Sequence, residues 1–192
     1  YASNNNNNPF GPQNSQMGPN NNNPYALYEL GNREYNGLIA GYPRYEEAFK
    51  YHKLAASFNH PTSYWMLSHM ILNKKIGSLS DNDIELALSY LKKAISLDSI
   101  SAINTMGLCY LFGWNKEKKI DISKAKSYFE KAANKNYIYA YNNLGRVNEM
   151  EKDYVKALSY YLKSANLEES WACNKVGLYY YNGIGTDKDI EK

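Results

Sequence analysis

The chain has 192 residues, of which 22 are basic and 19 acidic, and its formal net charge is +3. A charge so nearly balanced argues against an electrostatic footprint for nucleic acid. No stretch approaches the roughly 20 consecutive apolar residues that a membrane span needs. Two cysteines are too few for a disulfide framework.

Residues 1–24 differ in composition from everything that follows. They hold ten asparagines, four of the six prolines and no charged residue. Such a segment cannot bury enough apolar surface to offset the entropy of folding, so we predict a flexible linker. Tyr1 is not a natural start and residues 189–192 open a predicted helix. We therefore expect this sequence to be a piece of a longer protein.

From residue 25 onward the chain repeats itself about every 38 residues. Each unit carries a pair of small residues five positions apart, an alanine and a glycine in four units and two serines in the other. The pairs are Ala26–Gly31, Ser63–Ser68, Ala102–Gly107, Ala140–Gly145 and Ala172–Gly177. A period of this length is typical of stacked helical pairs.

A second pattern lies in phase with the first and predicts a second helix in each unit. It is an alanine, a tyrosine three positions later and a small residue seven positions later, which share one helical face. The sets are Ala48–Tyr51–Ala55, Ala87–Tyr90–Ala94, Ala125–Tyr128–Ala132 and Ala157–Tyr160–Ser164. An aspartate four residues before the alanine suits a helix start, because it accepts from open amides. These aspartates are Asp83, Asp121, Asp153 and Asp189.

The fifth unit carries the most specific motif, formed by Ala172, Gly177, Tyr180, Gly183, Gly185 and Asp189. This order resembles the Sel1-like repeat, a relative of the tetratricopeptide repeat. The fourth unit, with only 12 residues from Gly145 to Ala157, is more similar to a tetratricopeptide repeat. The resemblance implies an all-α fold, a right-handed α-solenoid of about five helix-turn-helix units over residues 25–192. The expected units are 25–60, 61–98, 99–136, 137–169 and a truncated 170–192.

No catalytic or cofactor motif accompanies the repeats. The sequence has no nucleophile elbow, phosphate loop or paired catalytic carboxylates. His52, His60 and His69 have no further ligand at metal-binding spacing. We expect Cys109 and Cys173 to be small, buried packing residues. The sequence therefore predicts no enzymatic activity, no cofactor and no metal site.

We expect a partner to bind along the first helix of each unit, helix A. In tetratricopeptide-type stacks helix A lines the concave face, and the resemblance implies the same here. The position three residues before each second small residue then points into the groove. It carries Tyr28, Trp65, Asn104, Asn142 and Asn174. A carboxamide both donates and accepts, so the three asparagines form a candidate ladder for the backbone of an extended peptide. Alternatively, these asparagines satisfy contacts between helices.

Four further side chains complete the predicted groove. Tyr139 and Trp171 would supply apolar walls, and Arg146 would pair with a carboxylate of the ligand. His69 lies where a partner would reach it.

The sequence leaves three functions open for a protein- or peptide-binding repeat domain. The first is the sensing arm of a larger bacterial cytoplasmic transcription regulator, with a DNA-binding domain upstream and no nucleic-acid contact by the repeats. The second is a general adaptor for protein complexes. The third is a secreted, host-directed Sel1-like protein. The regulator is the preferred interpretation, and it makes the expected location cytoplasmic.

The C-terminal end gives one further expectation. The final unit lacks its second helix, so an apolar side of its helix A, including part of residues 179–181, would be uncovered. Exposed faces of that kind tend to find a mate. We therefore predict a homodimer through this end.

Overall fold

The computed structural model describes residues 23–186, which form nine α-helices and no β-strand. The helices are α1 Pro24–Tyr35, α2 Tyr45–Ser57, α3 Pro61–Leu72, α4 Asp81–Ser96, α5 Ile100–Leu111, α6 Ile122–Ala133, α7 Ile138–Met150, α8 Tyr154–Ala165 and α9 Ser170–Asn182. Odd-numbered helices are helix A of successive units, and even-numbered helices are helix B. The predicted all-α repeat fold is confirmed.

The helices pack in chain order. The two helices of one unit make the most extensive contacts, as in α1 with α2 and α3 with α4. Each helix B then packs on helix A of the next unit, and neighbouring A helices such as α3 and α5 also touch. Each unit is therefore stabilised mainly by its immediate neighbours, as in other repeat proteins.

The helix starts follow the sequence pattern with one difference. Asp121 and Asp153 are N-caps, and their carboxylates accept from the amides of Lys124 and Lys156 at 2.8 and 3.1 Å. Asp83 instead lies three residues inside α4, where it forms a capping box with the N-cap Ser80. The predicted helix start at Asp189 lies outside the described residues.

The N-terminal boundary also shifts. Asn23 caps α1 by accepting from the Tyr25 amide at 3.0 Å, and Pro24 is the first residue of the helix. Both residues fall in the segment predicted to be a linker. The rest of that segment, residues 1–22, lies outside the part of the chain that the structure describes.

The glycines of helix A make room for rings of helix B. Gly31 faces His52, Gly107 faces Phe129 and Gly145 faces Tyr161. A Cβ added at Gly107 would lie 2.6 Å from Phe129 Cε1, closer than real Cβ contacts allow. Such contacts explain why α1, α5 and α7 keep glycines that cost about 1 kcal/mol each relative to alanine, whereas nothing lies within 4 Å of a Cβ added at Gly177 of α9.

The second unit differs at both positions of this contact. Its helix A carries Ser68 where the others carry glycine, and the facing register of helix B carries Leu91 in place of a ring. Both side chains are fully buried. The alanines of the helix B pattern are buried in all four units, as is Ser164, so these small residues bring the helices together.

One burial expectation needs correction. Cys109 is buried, and desolvation raises the pKa of its thiol to about 12, but Cys173 is exposed on α9. Within the stretch 179–181, part of which is expected to be uncovered, Tyr181 is 58% exposed, whereas Tyr179 is 2% exposed because it packs against the end of the fourth unit. The homodimer remains a prediction.

Candidate protein-binding surface

The residues predicted to bind a partner lie on the A helices, and the first three of them are half-buried. The Tyr28 ring on α1 lies 4.8 Å from the His60 ring and 5.8 Å from the His52 ring, centre to centre. Trp65 and His69 are one turn apart on α3, with ring centres 5.4 Å apart. These side chains pack mainly within the first two units.

The three asparagines of the candidate ladder have different surroundings. Asn104 is 5% exposed, and its Oδ1 accepts from Asn143 Nδ2 at 2.9 Å. Asn142 is 9% exposed and donates to Glu169 Oε2 at 3.1 Å. Asn174 is exposed on α9. This arrangement is not an open row of three carboxamides, because two of them join neighbouring units.

These bonds follow the repeat register. Trp65 Nε1 donates to Thr105 Oγ1 at 2.9 Å, and Asn104 accepts from Asn143. In both cases the residue three positions before the second small residue of one unit meets a residue of the next unit. That residue lies two positions before the second small residue of its own unit. The sequence period predicts that these positions are equivalent, but it does not show that they face each other.

The exposed part of the predicted site lies on α7 and α9. Tyr139 is 57% exposed and Trp171 is 45% exposed. Arg146 is exposed, and its Cζ lies 5.9 Å from the centre of the Phe112 ring. Within residues 23–186 no carboxylate lies within ion-pair distance of Arg146. We call the exposed set Tyr139, Arg146, Trp171 and Asn174, together with Lys175, the α7–α9 patch.

Glu149 organises the floor of this patch, and sequence analysis missed it. Its carboxylate accepts from the hydroxyls of Tyr161 at 2.9 Å and Tyr179 at 2.5 Å, and it pairs with Lys175 Nζ at 2.9 Å. Burial by itself would raise the pKa of Glu149, but the hydrogen bonds from Tyr179, Lys175 and Tyr161 outweigh it and lower the pKa. One carboxylate therefore ties together α7, α8 and α9.

Aromatic rings surround the ammonium group of Lys175. It lies 5.8 Å from the centre of the Tyr161 ring, 5.9 Å from Trp171 and 5.7 Å from Tyr179. Trp171 also packs edge-on against Tyr161 with ring centres 5.5 Å apart. Desolvation and the bond to Glu149 raise the pKa of Tyr161, while the nearby charge of Arg146 opposes that rise. Trp171 is thus held by its neighbours on one side and open on the other.

The same part of the chain lacks two further features. Between residues 23 and 186, no group of three or more His, Cys, Asp or Glu side chains is arranged to hold a metal ion. In that range no helix has the length and apolar character needed to cross a bilayer.

Solved structures with the same architecture are similar to this chain. A Sel1 repeat protein from Oxalobacter formigenes is 25% identical, with a TM-score of 0.71 over 90% of this chain and 70% of that one. A protective antigen of uropathogenic Escherichia coli with an SLR fold is 24% identical, with a TM-score of 0.66 over 87% of this chain. The chain spans 35% of the length of that antigen. MamA protein is 21% identical, with a TM-score of 0.52 over 84% of each chain.

Comparison with protein families gives a match over almost all of the repeat region. The Sel1 repeat matches residues 24–58, 63–99, 100–137, 138–168 and 172–192. None of the curated proteins compared with the chain matches it. Sel1 repeats form scaffolds for protein–protein interaction and are generally not enzymes. With five matched repeats and the helical stack described above, the chain belongs to the Sel1 repeat family.

Proposed function

We propose that this chain is a non-catalytic domain that binds an extended segment of a partner protein across the α7–α9 patch. The observation that carries the proposal is Arg146, an exposed guanidinium without a carboxylate partner in residues 23–186, on a helix next to the exposed ring of Trp171. Arginine and tryptophan are enriched among the residues that dominate binding energy at protein interfaces.

Each side chain of the patch has a role in this proposal. Arg146, oriented by its contact with Phe112, pairs with a carboxylate of the bound segment through its free N–H groups. Tyr139 and Trp171 contact apolar side chains, and Asn174 exchanges hydrogen bonds with the peptide backbone. Asn104 and Asn142 support the surface from below by joining units.

The half-buried residues Tyr28, Trp65 and His69 extend the same face towards the N-terminus. We include them as the distal end of the binding surface, where their rings offer apolar contact with small exposed areas. A longer partner segment would run from α9 towards α1, across the A helices.

For the whole protein we propose the interaction arm of a larger cytoplasmic regulator in a bacterium. That proposal predicts that loading this surface changes DNA binding by the full-length protein, while the repeats alone bind no operator. An adaptor would bind the partner with no effect on DNA, and a secreted protein would be recovered outside the cell. Comparing the full-length protein in these assays separates the three.

Site-specific photo-crosslinking tests the binding surface. A photoreactive residue replaces Asn174 in the patch, and a control chain carries it at Ser159, which is exposed on helix B of the fourth unit. We expect crosslinks to a partner from position 174 only, and their loss when Arg146→Glu is added. Equal crosslinking from both positions, or no effect of Arg146→Glu, would overturn the proposal.

A further inference from the structure

A second surface depression lies along α2 and between α2, α3 and α4, away from the α7–α9 patch. Its outer part is very shallow, about 340 Å³ along α2, and is lined by Lys50, Lys53, Leu54 and Ser57. Its inner part, about 210 Å³ and also open to solvent, shares Lys53 and Ser57 and lies between α2, α3 and α4. We call the two adjoining parts the outer groove.

The inner part of the outer groove has an apolar floor. Leu67 of α3 and Ala56 of α2 are buried beneath it. Tyr64 and Tyr90 stand on its α3 and α4 sides, with ring centres 6.2 Å apart and both rings half-buried. An open depression of about 210 Å³ with this lining offers contact to an apolar side chain.

Comparison between units shows one sequence difference at the α2 side of the groove. Six residues after the helix B alanine, the first unit carries Leu54, whereas the later units carry Lys93, Lys131 and Lys163. The ammonium groups of Lys131 and Lys163 lie 5.2 and 5.3 Å from the centres of the Tyr128 and Tyr160 rings of their own helices.

The corresponding rings of the first two units, those of Tyr51 and Tyr90, have no such cation–π contact. No ammonium in residues 23–186 lies at cation–π distance from Tyr51 or Tyr90. Leu54, at the lysine register, is 41% exposed. The first unit therefore has an exposed aliphatic side chain, Leu54, where α6 and α8 carry a lysine. In the second unit Lys93 occupies that register, but no ammonium lies over the Tyr90 ring that lines the groove.

The charge at the rim is positive. Lys53 lines both parts of the groove and forms no ion pair with a carboxylate in the described range. Lys50 donates to Glu47 at 2.7 Å, so its charge is largely balanced. The unbalanced ammonium group of Lys53 beside an apolar floor is complementary to a carboxylate that neighbours an apolar side chain.

We propose that the outer groove is a second docking site, for an acidic amphipathic segment of a partner protein. An apolar side chain of that segment packs against the accessible parts of the Tyr64 and Tyr90 rings, and its carboxylates lie against Lys53. Leu54 extends the apolar contact along α2. This site is on different helices from the α7–α9 patch, so the two surfaces can be occupied together.

Selection from a displayed library of random twelve-residue peptides tests the proposal. The bait is the 192-residue chain carrying Arg146→Glu and Trp171→Ala, which weakens the α7–α9 patch, and its fold is checked by circular dichroism. We expect selected peptides to place Asp or Glu beside an apolar residue. Their affinity should fall about tenfold with Lys53→Glu and again with Leu54→Gln.

The matched control is Lys92→Glu, an exposed lysine at the register of Lys53 in the second unit. It should leave the affinity within about twofold, because a surface charge outside an interface contributes little to binding. Basic peptides, or binding insensitive to Lys53→Glu and Leu54→Gln, would overturn the proposal. So would a dimer of the chain that Leu54→Gln dissociates, because the occupant would then be a second copy. None of these outcomes depends on the α7–α9 patch.

Discussion

The ring of His52 lies directly against Gly31, so close that a Cβ at Gly31 would be 2.7 Å from His52 Cε1. Both ring nitrogens of His52 are buried without a hydrogen-bond partner in the described part of the chain. Phe129 and Tyr161 occupy the same register in later units and face their own glycines. A histidine therefore occupies the position of an apolar ring, so the stability of the chain should fall in acid.

Desolvation, and secondarily the nearby His60, lowers the pKa of His52 from 6.5 to about 4. Between those values the unfolded chain binds more protons than the folded chain, so stability falls as the pH falls. The contribution of His52 is complete above about pH 6.5, and about 3 kcal/mol is lost by pH 4. Urea unfolding at pH 7 and at pH 4.5 measures the loss.

His52→Phe is the control for this prediction, because Phe129 shows that a phenyl ring fits beside a helix A glycine. The variant should be as stable as the parent chain at pH 7 and should lose much less stability at pH 4.5. Burial also lowers the pKa of His60 and His69, so some pH dependence will remain. An unchanged pH dependence in His52→Phe would show that another group causes it.

Gly107→Ala should destabilise the chain although alanine favours helices. The added methyl group meets Phe129 Cε1 at 2.6 Å and the Ala125 carbonyl oxygen at 3.1 Å. Overpacking of this kind costs about 1–3 kcal/mol. Gly177→Ala is the matched case, since nothing lies within 4 Å of its added Cβ. We expect it to raise stability by about 0.5–1 kcal/mol. Thermal or urea unfolding of both variants compares them, and equal effects would refute the packing explanation.

Glu149→Gln should weaken the attachment of α9. Glutamine keeps one acceptor for Tyr161 or Tyr179 but loses the charge that pairs with Lys175. Hydrogen bonds to charged groups contribute about 1.5–3 kcal/mol, and partial exposure reduces this to about 1–2 kcal/mol. Glu151→Gln, which removes a more exposed ion pair with Lys126, should change stability by less than about 0.5 kcal/mol. Hydrogen exchange of the α9 amides would report the difference, and equal protection in both variants would contradict it.

Asn104→Ala should lower the stability of the stack, whereas Asn174→Ala should weaken binding of the partner. Removing the Asn104 carboxamide leaves Asn143 Nδ2 without its partner in a buried site, at a cost of about 1–2 kcal/mol. Asn174 is exposed, so its replacement should leave the melting temperature unchanged and weaken crosslinking to the partner. If Asn104→Ala leaves stability intact, the unit-joining role assigned to its hydrogen bond is wrong.

Much of the fold follows from periodicity. The spacing of alanine, glycine and tyrosine predicts nine helices in the described range, their pairing, and the burial of one face of each. The resemblance to the Sel1-like repeat predicts the family as well. Ser68 with Leu91 occupies the same register, with a leucine opposite a serine where the other units place a ring opposite a glycine.

The site was predicted less completely, for reasons that particular residues make clear. Tyr139, Arg146, Trp171 and Asn174 are exposed where the register places them, but whether a partner binds them is still a prediction. Asn104 and Asn142 share the register of Asn174 and are buried, because a following unit covers them. The outer groove, which includes Leu54, depends on the position of α4 relative to α2.

Helical periodicity therefore shows which side of each helix turns inward, because 3.6 residues per turn relates sequence spacing directly to direction around the axis. The distance and tilt between successive units are set by packing among several helices. They decide whether a polar side chain at the edge of the buried face meets solvent, as Asn174 does, or a neighbour, as Asn104 does. The convergence of Tyr161, Tyr179 and Lys175 on Glu149 depends on three helices at once. For that reason it exists only in the folded stack.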